Sequence, residues 1–291
     1  MATLSQWVEG ARPKTLPAAV APVLVGSGAA AALASFNAAD AVLALLVSLA
    51  LQVGVNYAND YSDGIRGTDA DRVGPVRLVG QRLATPGNVK LAAMASFAAA
   101  ALFGLALVAL SEAWVLLWVG AAAIVAAWYY TGGKRPYGYA GLGEVFVFVF
   151  FGLVAVLGTT YTQAHELSAA AWAGAVGIGA IAAAILVANN LRDIPGDTVS
   201  GKRTLAVRLG DHRTRTLYAG LLAVAFVGVV VAGLSSAWPA LIALASFALA
   251  VPLVRRVWGG ARGRDLVPVL AGTGRFELVY AALLALGLAL A

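Results

Sequence analysis

Two short stretches carry the groups with the most chemical potential in this chain. Asn56-Tyr57-Ala58-Asn59-Asp60-Tyr61-Ser62-Asp63 closes one long apolar run, and Asn189-Asn190-Leu191-Arg192-Asp193-Ile194-Pro195-Gly196-Asp197 closes another. On a helix, residues three or four apart share a face. Asn56, Asp60 and Asp63 are therefore expected to project together, as are Asn189 and Asp193. Pro195-Gly196 is expected to break the second helix and leave Asp197 on a loop. Hard oxygen ligands at this spacing suit Mg²⁺, which commonly bridges one or two carboxylates to a substrate phosphate. Carboxylates beside apolar spans are costly and mark functional sites by default. A single Asp-x-x-Asp at a helix end is commonly a cap or an arginine partner; two copies with matching asparagines favour metal binding.

A charge count shows what else such a site needs. Asp60, Asp63, Asp193 and Asp197 supply about −4, two magnesium ions about +4, and a diphosphate about −3 more. Arg66, Arg72, Lys134, Lys202 and Arg203 are the nearby cations that could offset the remainder, arginine by bidentate contact and lysine as a point charge. The sum is a metal–diphosphate clamp above an apolar bundle, which is what a polyprenyl diphosphate requires. The loop acids Asp69 and Asp71 are further candidate ligands, or simply solvated.

The elements that hold these groups are helices in a membrane. Of 291 residues, 61% are hydrophobic and only 12% charged, against about 25% charged in soluble domains. Apolar stretches long enough to cross a bilayer recur throughout. They predict an all-α, polytopic bundle of about nine transmembrane helices around a central cavity: roughly 16–36, 39–58, 89–110, 113–131, 142–162, 169–190, 216–234, 238–254 and 267–290. Residues 1–291 form a single domain on this reading. The first run is a permanent helix rather than a cleaved signal. The chain has no cysteine, which excludes disulfides and thiolate metal sites.

Charge sets the sidedness. Every Lys and Arg falls before the first helix, in the even-numbered loops, or close beyond the eighth. The odd-numbered loops hold Asp40, Glu112, His165 and Glu166. The positive-inside rule places the N-terminus and both acidic clusters at the cytoplasmic face of a bacterial plasma membrane, with the C-terminus outside. The net charge of +6 thus reflects topology and anionic lipid, not nucleic acid. The two clusters recur four helices apart. An even offset gives two parallel four-helix pseudo-repeats plus one helix, unlike the inverted repeats common in transporters. His165 and His212 lack metal-ligand spacing, and Gly132-Gly133-Lys134 lacks the spacing of a phosphate-binding loop.

The two acidic stretches, with Tyr130-Thr131-Gly132-Gly133-Lys134-Arg135, resemble the paired aspartate motifs and the Tyr-x-x-x-Lys segment of the UbiA-type intramembrane aromatic prenyltransferases. Arg12-Pro13-Lys14-Thr15-Leu16-Pro17, Asp60 to Asp69 and Gly201 to Gly210 are similar to the branch acting on 1,4-dihydroxy-2-naphthoate. In the wider superfamily a further aspartate stands where this chain has Gly67, with Asp69 two residues on. The resemblance implies Mg²⁺-dependent transfer of a polyprenyl chain to dihydroxynaphthoate with loss of its carboxylate, a step of menaquinone synthesis. It implies Asp60, Asp63, Asp193 and Asp197 as metal-binding and catalytic residues, aided by Asn56, Asn189 and Lys134. Tyr57, Tyr61, Tyr129 and Tyr130 are candidates to face an allylic cation, or are interface-belt residues. Arg12 and Lys14 are candidates for the acceptor carboxylate, or topology signals alone. The same fold acting on another acceptor, such as 4-hydroxybenzoate, is the alternative within the class, and a membrane transporter the alternative outside it. Chain length, oligomeric state and a general base are left open.

Overall fold

The structure, a computed structural model, describes residues 2–67, 76–235 and 237–291. Arg72, Asp69 and Asp71 lie outside the described residues. Among those described, all regular structure is helical: α1 (Leu4–Gly10), α2 (Pro17–Ala32), α3 (Ala38–Arg66), α4 (Pro86–Ser111), α5 (Leu116–Tyr129), α6 (Gly143–Ala164), α7 (Ala169–Val199), α8 (Leu205–Ser235), α9 (Trp238–Trp258) and α10 (Gly263–Ala289).

Local chemistry starts several of these helices. Asn37 caps α3 by accepting the N–H groups of Ala39 and Asp40, Thr85 caps α4 ahead of Pro86, and Ser168 caps α7. Each satisfies a donor that the first helical turn leaves without a partner. Thr3 and Gln6 form a capping box on the short α1.

Each expected apolar segment has its helix, but nine spans are not established. Among the described residues, seven helices are long and apolar enough to cross a bilayer, or eight if the 47° bend between the N-terminal segment and α2 lies within one span. The exception is α5, whose 14 residues extend about 21 Å, short of a hydrocarbon core near 30 Å.

Helix α7 is the axis of the bundle. Of its most apolar stretch 78% is buried, against 22–44% in the other spans. Its Ala- and Gly-rich surface lets neighbours approach closely, as membrane helix packing requires. At the crossing with α6, a Cβ on Gly152 would stand 2.6 Å from both the Ala175 carbonyl oxygen and the Gly179 Cα, so backbone meets backbone. Here α6 runs as a ten-residue π-helix, Phe148–Leu157, a form usually confined to single turns and frequent at functional sites. Extensive packing of α3 along α4 and of α7 along α8 places equivalent helix pairs four helices apart, in accord with the parallel repeat.

Contacts gather the basic ends at one face. Arg66 at the end of α3 reaches the carbonyls of Thr131 and Gly133 after α5. The Arg203 N–H donates to the Tyr139 carbonyl at 3.0 Å. Arg215 on α8 reaches the carbonyls of Val257 in the last turn of α9 and of Ala261 just after it.

Candidate active site

The end of α3 reaches Arg66, well past the expected boundary at residue 58, so both of its aspartates are helical and buried. With Asn56 they lie within about 60° on one side of α3, but their partners diverge. Asn56 and Asp60 form a row that bonds the N-terminal segment and the 78–79 backbone, while Asp63 and Asn59 form a second row toward the loop after α5. The Asn56 amide donates to the Ala11 carbonyl at 2.9 Å and to Thr15 Oγ1 at 3.0 Å. Gln52 donates to the same hydroxyl at 2.8 Å, so α3 clasps the Arg12–Thr15 turn. Asn56 is thus a structural clasp whose NH₂ group is committed away from the acids. Asp60 accepts the N–H of Leu78 at 2.6 Å and of Val79 at 3.1 Å. It pins the returning loop beneath α1, and the Arg12 charge acts on it.

On the other row Thr131 donates to Asn59 at 2.8 Å, and the Tyr139 hydroxyl donates to Asp63. Asp63 also faces Lys202 Nζ at 3.6 Å, both side chains being buried. Lys202 comes from the turn after α7, closed by its own N–H on the Asp197 carbonyl at 2.9 Å. Its ammonium stands 4.5 Å from the centre of the Tyr139 ring, with the Arg66 guanidinium at 5.5 Å. The two acidic helix ends therefore meet at one mouth, with Tyr139 and Lys202 between them. Tyr139 was not anticipated; the Tyr137-Gly138-Tyr139 repeat close after the lysine motif was its only signal.

Helix α7 also runs further than expected. Pro195 and Gly196 lie inside it, and Asp197 is helical and buried. The unexpected member of this cluster is Arg192. Its Nε and Nη2 donate to the two Asp193 oxygens at 2.7 and 2.8 Å, and Nη2 also meets Asn189 Oδ1 at 2.8 Å. Asn189 in turn donates weakly to Asp193 at 3.4 Å. Asn190 turns instead to Glu144 on α6, at 2.9 Å.

The proposed cations divide. Lys202 is buried in the mouth, whereas Lys134 and Arg203 are exposed on its rim. Arg66 spends both terminal nitrogens on loop carbonyls and braces the mouth rather than reaching into it. Arg12 is half-buried against α3, and Lys14 is exposed.

Do these residues fit Mg²⁺? Among the described residues no three acidic or histidine side chains cluster closely enough to hold an ion by themselves. Mg²⁺ needs no such cage, because it keeps waters and takes one or two carboxylates plus phosphate oxygens. An ionised carboxylate has about four acceptor positions, so Asp60 and Asp63 retain capacity beyond their present bonds. Asp193 becomes a ligand only as Arg192 yields part of its grip. On those terms the donor set fits.

Below the mouth lies a cavity of about 530 Å³. It is bounded by α3, α4, α5 and α6, to one side of α7, which does not line it. Gln52, Asn56, Asn59 and Tyr130 form its polar end, and the rest is mainly aliphatic and aromatic. Tyr130, Tyr137, Phe146 and Phe150 form a run of rings down one wall, successive centres 5.5, 4.0 and 6.1 Å apart. Of the four tyrosines anticipated, only Tyr130 lines it. Tyr57 bonds the Trp7 carbonyl, Tyr61 stacks on Trp128, and Tyr129 is half-exposed.

Comparison with known proteins gives the family and the fold. Residues 19–267 match the UbiA prenyltransferase family. A 1,4-dihydroxy-2-naphthoate octaprenyltransferase of Mycobacterium tuberculosis is 58% identical, covering 97% of this chain and 96% of that protein. Its namesake in Haemophilus influenzae is 40% identical, over 98% and 96%. Among solved structures, a UbiA homolog from Archaeoglobus fulgidus bound to DMAPP and Mg²⁺ superposes with a TM-score of 0.68 at 16% identity, over 96% of this chain and 99% of that one. The apo UbiA homolog from Aeropyrum pernix gives 0.71, also at 16%, over 92% and 97%. The chain belongs to the UbiA prenyltransferase family.

Proposed function

We propose that this protein transfers a polyprenyl chain from its diphosphate to 1,4-dihydroxy-2-naphthoate with loss of the carboxylate, giving demethylmenaquinol, the reduced form of demethylmenaquinone. The observation that carries the reading is the juxtaposition of a buried acidic mouth, Asp60, Asp63, Asp193 and Asp197 with Lys202, and an apolar cavity directly beneath it. The near full-length likeness to dihydroxynaphthoate octaprenyltransferases selects the acceptor over 4-hydroxybenzoate.

Asp60, Asp63, Asp193 and Asp197 would hold Mg²⁺, which when bound would supply positive charge to the departing diphosphate. Lys202 adds a positive charge from the side, with Lys134 and Arg203 at the rim drawing the anionic head inward. The tail lies in the cavity between α3 and α6, and its reacting end sits near Tyr130. The ring faces there stabilise positive charge developing on the allylic carbon. The apolar walls reduce the water available to capture it. Fixed charges already in place around a departing anion are the largest expected contribution to the rate. Arg12, on the turn clasped by Gln52 and Asn56, with Lys14 beside it, receives the acceptor carboxylate. The whole chain acts as one domain in a membrane, with the mouth on the cytoplasmic side.

The test is to incubate purified protein with a labelled polyprenyl diphosphate, dihydroxynaphthoate and Mg²⁺, with 4-hydroxybenzoate in parallel. Product forms with the naphthoate only, and EDTA abolishes it. Product with 4-hydroxybenzoate alone reassigns the acceptor, and none with either overturns the reading.

A further inference from the structure

A hydroxyl-bearing aromatic ring must shed a proton as it becomes a nucleophile, and the aspartates at the mouth are committed to Mg²⁺ in the function proposed above, on top of the bonds they already hold. Asp60 holds two backbone N–H groups, Asp63 holds Tyr139 and Lys202, and Asp193 is gripped twice by Arg192. One other buried carboxyl stands close by. Glu144, in the first turn of α6, is 6% exposed. Its Oε1 accepts the Asn190 amide at 2.9 Å, and its Oε2 is buried with no hydrogen-bond partner. A buried acceptor left in this state costs about 1–3 kcal/mol, so it is retained for a reason other than packing. Stabilisation of a helix N-terminus would be served equally well by an exposed carboxylate.

Its neighbours place the residue, which does not itself line the cavity but stands at its edge. On one side, Asn190 adjoins the Asn189–Asp193–Arg192 cluster. On the other, the preceding Gly143 lies against Tyr130: a Cβ there would be 3.3 Å from the ring and 3.5 Å from its hydroxyl. Tyr130, Phe146 and Val147 all line the cavity. Glu144 therefore stands where the cavity's polar end meets the acidic end of α7, the place where a prenyl carbon and an acceptor ring must approach one another.

We propose that Glu144 orients the acceptor through a hydroxyl group and carries that proton through the reaction. This rests on the function proposed above. The allylic C–O bond breaks with its electron pair going to diphosphate, and the ring carbon bearing the carboxylate forms the new C–C bond. As it does so the hydroxyl oxygen becomes a carbonyl and its proton passes to Glu144. Loss of CO₂ returns an electron pair to the ring, and Glu144 gives the proton back to oxygen. No net proton, oxidant or reductant is needed.

The experiment compares wild type, Glu144→Gln and Asn190→Ala, purified in detergent, on three readouts. These are retention of Mg²⁺ and prenyl diphosphate, transfer to dihydroxynaphthoate, and transfer to its O-methyl ethers, which lack one hydroxyl proton. Glu144→Gln should bind prenyl diphosphate as wild type does, yet lose on the order of 10²-fold in kcat/KM for the acceptor. One of the ethers should be poor for wild type and no poorer for Glu144→Gln. Asn190→Ala should lose much less. Full transfer by Glu144→Gln would overturn the proposal, as would equal losses in Glu144→Gln and Asn190→Ala together with lost prenyl diphosphate binding, because the pair would then be merely structural. Wild type inactive on dihydroxynaphthoate would instead sink the proposed function.

Discussion

Replacing Lys202 with methionine keeps the length of the side chain and removes a buried cation that joins the acidic end of α3 to the turn after α7. At 3.6 Å and an effective dielectric near 20, the Lys202–Asp63 attraction is roughly 4–5 kcal/mol before desolvation is counted. Removing one member of a buried pair costs about 3–5 kcal/mol where the other is left uncompensated. Asp63 keeps other partners, the Tyr139 hydroxyl among them, which points to the lower end, about 3 kcal/mol. In a chain of this size that is of order 10 °C in Tm. Mg²⁺ with inorganic diphosphate should restore much of the loss, since Asp63 regains a positive partner. Catalysis should not recover, because the charge beside the leaving group is still missing; a fall of 10²–10³ in kcat is the scale for one lost electrostatic contact. The assay is thermal unfolding of detergent-purified protein with and without Mg²⁺ and diphosphate, paired with single-turnover transfer. A variant as stable as wild type without ligand, or one whose kcat recovers along with its Tm, would refute the argument.

Asp60→Asn keeps the shape of a side chain that holds Leu78 and Val79 but removes its charge, and should abolish Mg²⁺-dependent turnover while freeing the 76–84 loop to limited proteolysis. Gly104 lines the cavity, and the nearest atom to a Cβ built there is Val47 Cγ2 at 3.9 Å. Gly104→Leu should therefore fold well, and a competition among prenyl diphosphates of graded length should show it favouring shorter chains. Gly152→Val forces a side chain into the backbone of α7, and differential scanning should show a loss of at least 1–3 kcal/mol, the range for overpacking. Glu277 is fully buried with neither oxygen hydrogen-bonded. Glu277→Met should raise the stability by about 1–3 kcal/mol, and a lowered Tm would show that this carboxyl has a partner in the native membrane.

The periodic apolar runs and the two acidic clusters were legible because they are local. A span needs some twenty apolar residues in a row, and an Asn-x-x-x-Asp repeat is visible wherever it stands. Helix ends were harder. Pro195 reads as a breaker, yet α7 continues through it because burial and tertiary contacts outweigh the cost of one lost hydrogen bond. Side-chain direction was harder still. Asn56, Asp60 and Asp63 fall within seven positions of one another, but a helix turns by 100° per residue, and which arc faces metal depends on what packs beside it. Arg192 was visible in the motif itself, but its grip on Asp193 is a choice of rotamer that spacing does not encode. That the cavity lies to one side of α7 is a property of the whole bundle.

The 14-residue α5 has a consequence for the surrounding lipid. The wall of the tail cavity is shorter than the bilayer it faces, so the acyl chains beside it must compress or the helix ends must sink, at some fraction of a kcal/mol per ångström of mismatch. The side of the protein that shelters the greasy substrate is therefore coupled mechanically to membrane thickness. The same enzyme reconstituted in short-chain and long-chain phosphatidylcholines should turn over at different rates, with no change at the acidic mouth.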